Sequence, residues 1–212
     1  MGEGLLQAVS TRSSDRDIVR GAGWTLVSLA AALRGTRDSR FEEALRVELR
    51  RALSAQLGSR GCFDLPREKE EGDDAWIEVT TWVQAGVLGE GLYRAWIELG
   101  DPKAKRGMRR LCEWVCEDAW SKGAEAFHVF VAYERAGPGI RRGAILRKRV
   151  ESAFLGATLA RGMRLGVGRS ARRILEAVRD ELNGMSSPYE PHRNVGRPLS
   201  MLLRCAPALA LD

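Results

Sequence analysis

One local pattern recurs along the chain and limits what it can become: an apolar helical stripe, a short glycine-bearing turn, a capping residue, then an amphipathic helix. Ile18, Val19, Ala22, Leu26, Leu29, Ala30 and Leu33 fall on one helical face, and Phe41, Leu45, Leu49, Ala52, Leu53 and Leu57 fall on another. Between them lies Arg34-Gly35-Thr36-Arg37, with Asp38 or Ser39 able to cap the second helix and Glu42 and Glu43 in its first turn. Two helices joined so tightly must fold back on each other as a hairpin. The punctuation returns at Leu99-Gly100-Asp101-Pro102, where Gly ends one helix, Asp caps the next, and Pro takes the first helical position at no hydrogen-bond cost. Gly137-Pro138-Gly139 marks a third break.

The same reading places a third helix over 75–99, apolar nearly all round and therefore buried on more than one side. Gly86, Gly89 and Gly91 each cost it up to about 1 kcal/mol relative to Ala. Either a neighbouring helix approaches closely there, or the helix breaks. Further helices are expected over 103–119, 124–135, 140–165 and 169–182, with no persuasive strand. The expected class is all-α: antiparallel helical hairpins stacked as a partial (α/α) toroid or a short solenoid. Residues 1–16 read as an N-terminal arm, 17–182 as a single helical-hairpin domain, and 183–212, which holds four prolines, as an irregular tail.

The stretch from Trp76 to Trp120 resembles one hairpin of the (α/α)-toroid, six-hairpin glycosidase-like proteins. The residues that carry the resemblance are Gly89-Glu90-Gly91-Leu92-Tyr93 with Ala95-Trp96, then Leu99-Gly100-Asp101-Pro102, then Leu111 and Trp114. It implies a ring of inner and outer helices, in a group that includes polysaccharide hydrolases, lyases and non-catalytic relatives. Six hairpins of roughly 50 residues would need about 300 residues or more, and this chain has 212. Half a ring, an open solenoid, or a ring closed by oligomerisation all fit that length. No motif anchors the family's catalytic positions on this chain.

The four cysteines, at 62, 112, 116 and 205, are too few and scattered for a disulfide framework, and the N-terminus lacks a signal-peptide pattern. A cytoplasmic location is expected, with no membrane span. Cys112 and Cys116 share a helix face, but His128 and His192 have no ligand-like spacing to them, so the cysteines read as buried small hydrophobes. No metal and no cofactor are expected.

Charge is uneven. From Arg135 to Arg173 there are eleven basic residues and one acid, Glu151, whereas Asp64 to Glu78 carries seven acids. Arg141, Arg142, Arg147, Lys148, Arg149, Arg161, Arg164, Arg169, Arg172 and Arg173 therefore form the candidate binding segment. The leading expectation is a non-catalytic partner-binding or assembly module whose basic face docks an acidic protein surface or a second copy. One alternative is a carbohydrate-active or carbohydrate-binding toroid fragment. Its weak catalytic candidates are Asp73, Asp74 and Glu78, with Glu125 beside them, and Trp76, Trp82, Tyr93 and Trp96 would stack on sugar. The other alternative is a nucleic-acid-associated protein using the 135–173 segment. Little aromatic interleaving and no helix-turn-helix partner argue against sequence-specific reading.

Overall fold

The computed structural model describes residues 18–58, 60–63, 75–80, 83–145 and 149–183. Two aspartates start outer helices, as their positions in the sequence require. Asp38 caps α2 (Ser39–Ser54) by accepting the Arg40 amide at 2.9 Å, directly after α1 (Ile18–Thr36). Asp101 caps α4 (Pro102–Trp114) by accepting the Lys103 amide at 2.7 Å, directly after α3 (Val83–Leu99). Gly100 stands at φ +65° between them, a left-handed conformation that costs glycine nothing. Gly166, at φ +84°, serves the same purpose between α5 (Arg149–Met163) and α6 (Arg169–Asn183).

The six helices of the described residues form two layers. Inner helix α3 lies between α1 and α5, while α2 backs α1, α4 backs α3 and α6 backs α5. The inner helices run parallel. Gly23 meets Leu88, and Arg34 donates to Glu98 at 2.6 Å, so the later parts of α1 and α3 lie together. Phe154 meets Gly86 and Thr158 meets Gly89, which aligns α5 in the same sense. The glycines of α3 are therefore sites of close approach, not of breakage. A Cβ at Gly86 would sit 2.7 Å from the Phe154 carbonyl carbon, and one at Gly89 2.5 Å from Thr158 Cγ2. Leu26, Leu29, Leu45, Leu49, Leu88, Leu92, Met108, Leu111 and Leu155 fill the core.

Because the inner-to-outer turns are short and share one end, the described parts of the long outer-to-inner connections, residues 55–58, 60–63, 75–80 and 115–145, belong to the other. They carry the strands, which the helical reading of the sequence did not foresee. β1 (Trp76–Thr80), β4 (Phe130–Glu134) and β5 (Ile140–Arg142) form an antiparallel sheet in the order β1-β4-β5. Its register pairs Ile77 with Tyr133 and Val131 with Arg142. β2 (Trp120–Ser121) and β3 (Ala126–Phe127) make a small hairpin after a π-helical turn, Val115–Ala119. Trp120 and Phe127 meet edge to face there at 4.8 Å.

Three expected helices are corrected accordingly. The helix expected over 75–99 begins at Val83, the one over 124–135 is strand, and the one over 140–165 gives way to β5 and a shorter α5. Short apolar runs with three- and four-residue spacing fit a strand as well as a helix, and aromatic and β-branched residues such as Phe130, Val131 and Tyr133 favour the strand. The helical-hairpin class itself stands. The expected arm, 1–16, and nearly all of the expected tail, 183–212, lie outside the described residues. Among the described residues no helix is long and apolar enough to cross a membrane.

Candidate functional site

The strand-bearing end gathers side chains from both long connections. Trp114, at the end of α4, donates its indole N–H to the Tyr133 hydroxyl at 2.6 Å, and Tyr133 in turn donates to Asp118 Oδ2 at 2.5 Å. The other carboxylate oxygen of Asp118 meets Arg142 Nη2 at 3.2 Å, and Arg142 Nε also donates to the Asp118 backbone carbonyl at 3.1 Å. Arg60, from the first connection, lies 4.1 Å over the Tyr133 ring. Burial raises the Tyr133 phenol above its ordinary range, and the hydrogen bond to Asp118 pushes in the same direction. The phenol is thus a fixed donor. Asp118 is the outer member of the chain, with its side chain 22% exposed. Asp118 belongs to the π-helical turn Val115–Ala119 that follows α4, a local widening of the helix that recurs at functional sites. Nearby, Arg141 stacks 3.8 Å over Trp76, joining β5 to β1. His128 Nδ1 lies 2.9 Å from the Gly143 carbonyl, which can only accept, so the proton sits on Nδ1.

A second cluster lies on the inner helices. Glu90, almost wholly buried on α3, holds Arg94 Nε at 2.8 Å on one oxygen and Arg161 Nε at 3.4 Å on the other. The Arg161 guanidinium also lies 4.5 Å over the Tyr93 ring, and Arg164 Nη1 donates to the Tyr93 hydroxyl at 3.3 Å.

The structure treats the sequence candidates unequally. Asp73 and Asp74, like Trp82, Arg147 and Lys148, lie outside the described residues. Glu78 occupies β1 opposite Ala132, and Glu125 is exposed in the turn before β3 at φ +47°. Trp76 is on β1, whereas Tyr93 and Trp96 pack edge to face on α3, so the expected aromatic platform is divided between elements. The expected basic helix is also divided. Arg141 and Arg142 sit on β5, Arg149 opens α5, Arg161 and Arg164 surround Tyr93, and Arg169, Arg172 and Arg173 open α6. The two ends of α5 alone lie about 22 Å apart at the usual helical rise. The described members of the segment are thus spread from β5 through α5 to α6.

Cys112 and Cys116 are buried and do not gather ligands; burial pushes the Cys116 thiol up to about 12 and the Cys112 thiol higher still. Among the described residues no group of three or more His, Cys, Asp or Glu side chains is placed to hold a metal ion.

Sequence reasoning missed Asp118, Tyr133, Arg60 and Glu90 as site residues. Glu90 carried a usable signal, since it is a carboxylate between two glycines in an otherwise apolar helix segment. Asp118 and Tyr133 carried none, because their partnership depends on the pairing of β4.

No protein-family model matches the chain, and no curated protein does. Two solved structures resemble it. An unsaturated glucuronyl hydrolase specific for heparin superposes with a TM-score of 0.68 at 12% identity, over 90% of this chain and 56% of the other. A family 76 glycoside hydrolase from a bovine Bacteroides thetaiotaomicron strain superposes with a TM-score of 0.58 at 8% identity, over 75% of this chain and 33% of the other. The chain spans about half the length of the first and a third of the second. The expectation of a non-catalytic partner-binding or assembly module is overturned by these neighbours, which favour the carbohydrate-active alternative. The chain carries the (α/α)-toroid fold of these two glycosidases, with three helical hairpins side by side among its described residues.

Proposed function

We propose that this chain is the hairpin half of a carbohydrate-active toroid and handles an oligosaccharide at its strand-bearing end. The observation that carries the reading is the superposition of 90% of the chain on a glucuronyl hydrolase at a TM-score of 0.68. The chemistry of that end supports it. Glycoside cleavage uses two carboxyl groups about 5 to 9 Å apart, and a carboxylate from each long connection would supply the pair. Asp118 is the member from the second connection, oriented by Tyr133 and Arg142. Asp73, Asp74 and Glu78, which precede α3 in the first connection, are the candidates for its counterpart. The stacked Trp76 and Arg141 offer an apolar face beside a cation, a combination that suits an acidic sugar ring.

The test incubates the purified protein with heparin-derived disaccharides ending in an unsaturated uronate, and with neutral oligosaccharides, following turnover by ultraviolet absorbance and binding by calorimetry. Turnover or saturable binding that drops in Asp118→Asn while the fold persists is expected. Absence of both with every oligosaccharide overturns the reading.

A further inference from the structure

Glu90 spends both of its oxygens on the Nε atoms of two arginines, Arg94 at 2.8 Å and Arg161 at 3.4 Å. A guanidinium held by Nε still has its end-on pair of Nη nitrogens, the edge that grips an oxyanion in two-point fashion. Among the described residues, neither Arg94 nor Arg161 places those terminal nitrogens on a protein acceptor. For Arg161 this matters energetically, because its side chain is only 12% exposed and water reaches little of it. The ring of Tyr93 supports one face of Arg161, and the Tyr93 hydroxyl positions Arg164 at 3.3 Å. Two guanidiniums thus share the Glu90 carboxylate, and a third is held beside them on the Tyr93 hydroxyl, so cationic side chains gather at this point of the inner helices.

We infer that Arg94, Arg161 and Arg164 form an oxyanion site, with Glu90 and Tyr93 as its positioning residues, that takes the carboxylate of an acidic sugar. The inference rests on the carbohydrate reading for the identity of its ligand, but not for the existence of the site. It uses neither Asp118 nor the strands: Arg161 and Arg164 lie toward the short-turn end of the inner helices, so the site would hold a sugar acid away from the cleavage position.

The test titrates the full chain with sodium glucuronate, glucose and sodium sulfate, followed by calorimetry and by NMR of the arginine Nε–Hε signals. Glucuronate is expected to saturate and to shift the Arg94 and Arg161 signals, with glucose silent. Arg161→Lys keeps the charge and loses the fork, so affinity should fall about tenfold. Should Arg161→Lys unfold, the more exposed Arg164→Gln gives the same reading. Equal affinity in Arg161→Lys and the parent overturns the fork. Sulfate binding without glucuronate binding overturns the sugar acid as ligand. Oligosaccharide binding at the strand end with no anion response defeats this inference and leaves the proposed function standing. Glucuronate binding with no oligosaccharide bound or cleaved does the reverse.

Discussion

Tyr133 donates its phenolic hydrogen to Asp118 at 2.5 Å while receiving the indole hydrogen of Trp114 at 2.6 Å, so one buried hydroxyl joins the end of an outer helix to a π-helical turn through a central strand. Tyr133→Phe removes both bonds, leaving a buried indole N–H without its acceptor. Stability should fall by about 1 to 3 kcal/mol, read from the midpoint of urea unfolding. An unchanged midpoint would show that water replaces the hydroxyl.

The close inner-helix contacts give a paired test. Gly89→Ala places a methyl 2.5 Å from Thr158 Cγ2 and Oγ1, and overpacking of this kind costs about 1 to 3 kcal/mol. Gly35→Ala, near the end of α1, meets nothing within 4 Å and should gain up to about 1 kcal/mol from helix propensity. Thermal unfolding followed by circular dichroism separates them, since the two shifts have opposite sign.

Glu90 and Glu113 both pair with arginines on their own helix, but in different surroundings. Glu90→Gln leaves the guanidiniums of Arg94 and Arg161 with no carboxylate to balance them in a mostly buried setting, at a cost of about 3 kcal/mol. Glu113→Gln, whose pair with Arg109 is exposed on both sides, should stay within about 0.5 kcal/mol of the parent. Similar losses for both would mean that burial does not set the difference.

Burial raises the thiols of Cys112 and Cys116 in the folded chain, with Cys116 at about 12 against an ordinary value of 9.0. A group whose folded pKa is raised contributes stability in full below its unfolded pKa and loses it as pH climbs toward the folded one. The melting temperature should therefore decline from about pH 9 upward, and less steeply in Cys116→Ala. A decline equally steep in that variant would assign the alkaline loss to other groups.

The one-face stripes of α1, α2, α4 and α6, and the turn Gly100-Asp101-Pro102, were legible in the chain as written. Each depends on interactions within about a helical turn: spacing, capping, and a left-handed glycine. From these the hairpin class follows. What the glycines of α3 do was open until α1 and α5 were seen against them, because close approach is a property of two helices.

The strands were settled only by tertiary structure. Ile77 and Tyr133 pair across more than fifty residues of sequence, and no local periodicity encodes that partner. The same distance hid the site. Asp118 reads as an ordinary acid near a helix end until β4 brings Tyr133 to it. Arg161 reads as one of many surface cations until α5 packs beside α3 and sets its guanidinium against Glu90. Sequence alone determined where this chain turns and which helical faces are apolar, because those are short-range properties. Which polar groups meet was decided by tertiary structure, because pairing and packing are not.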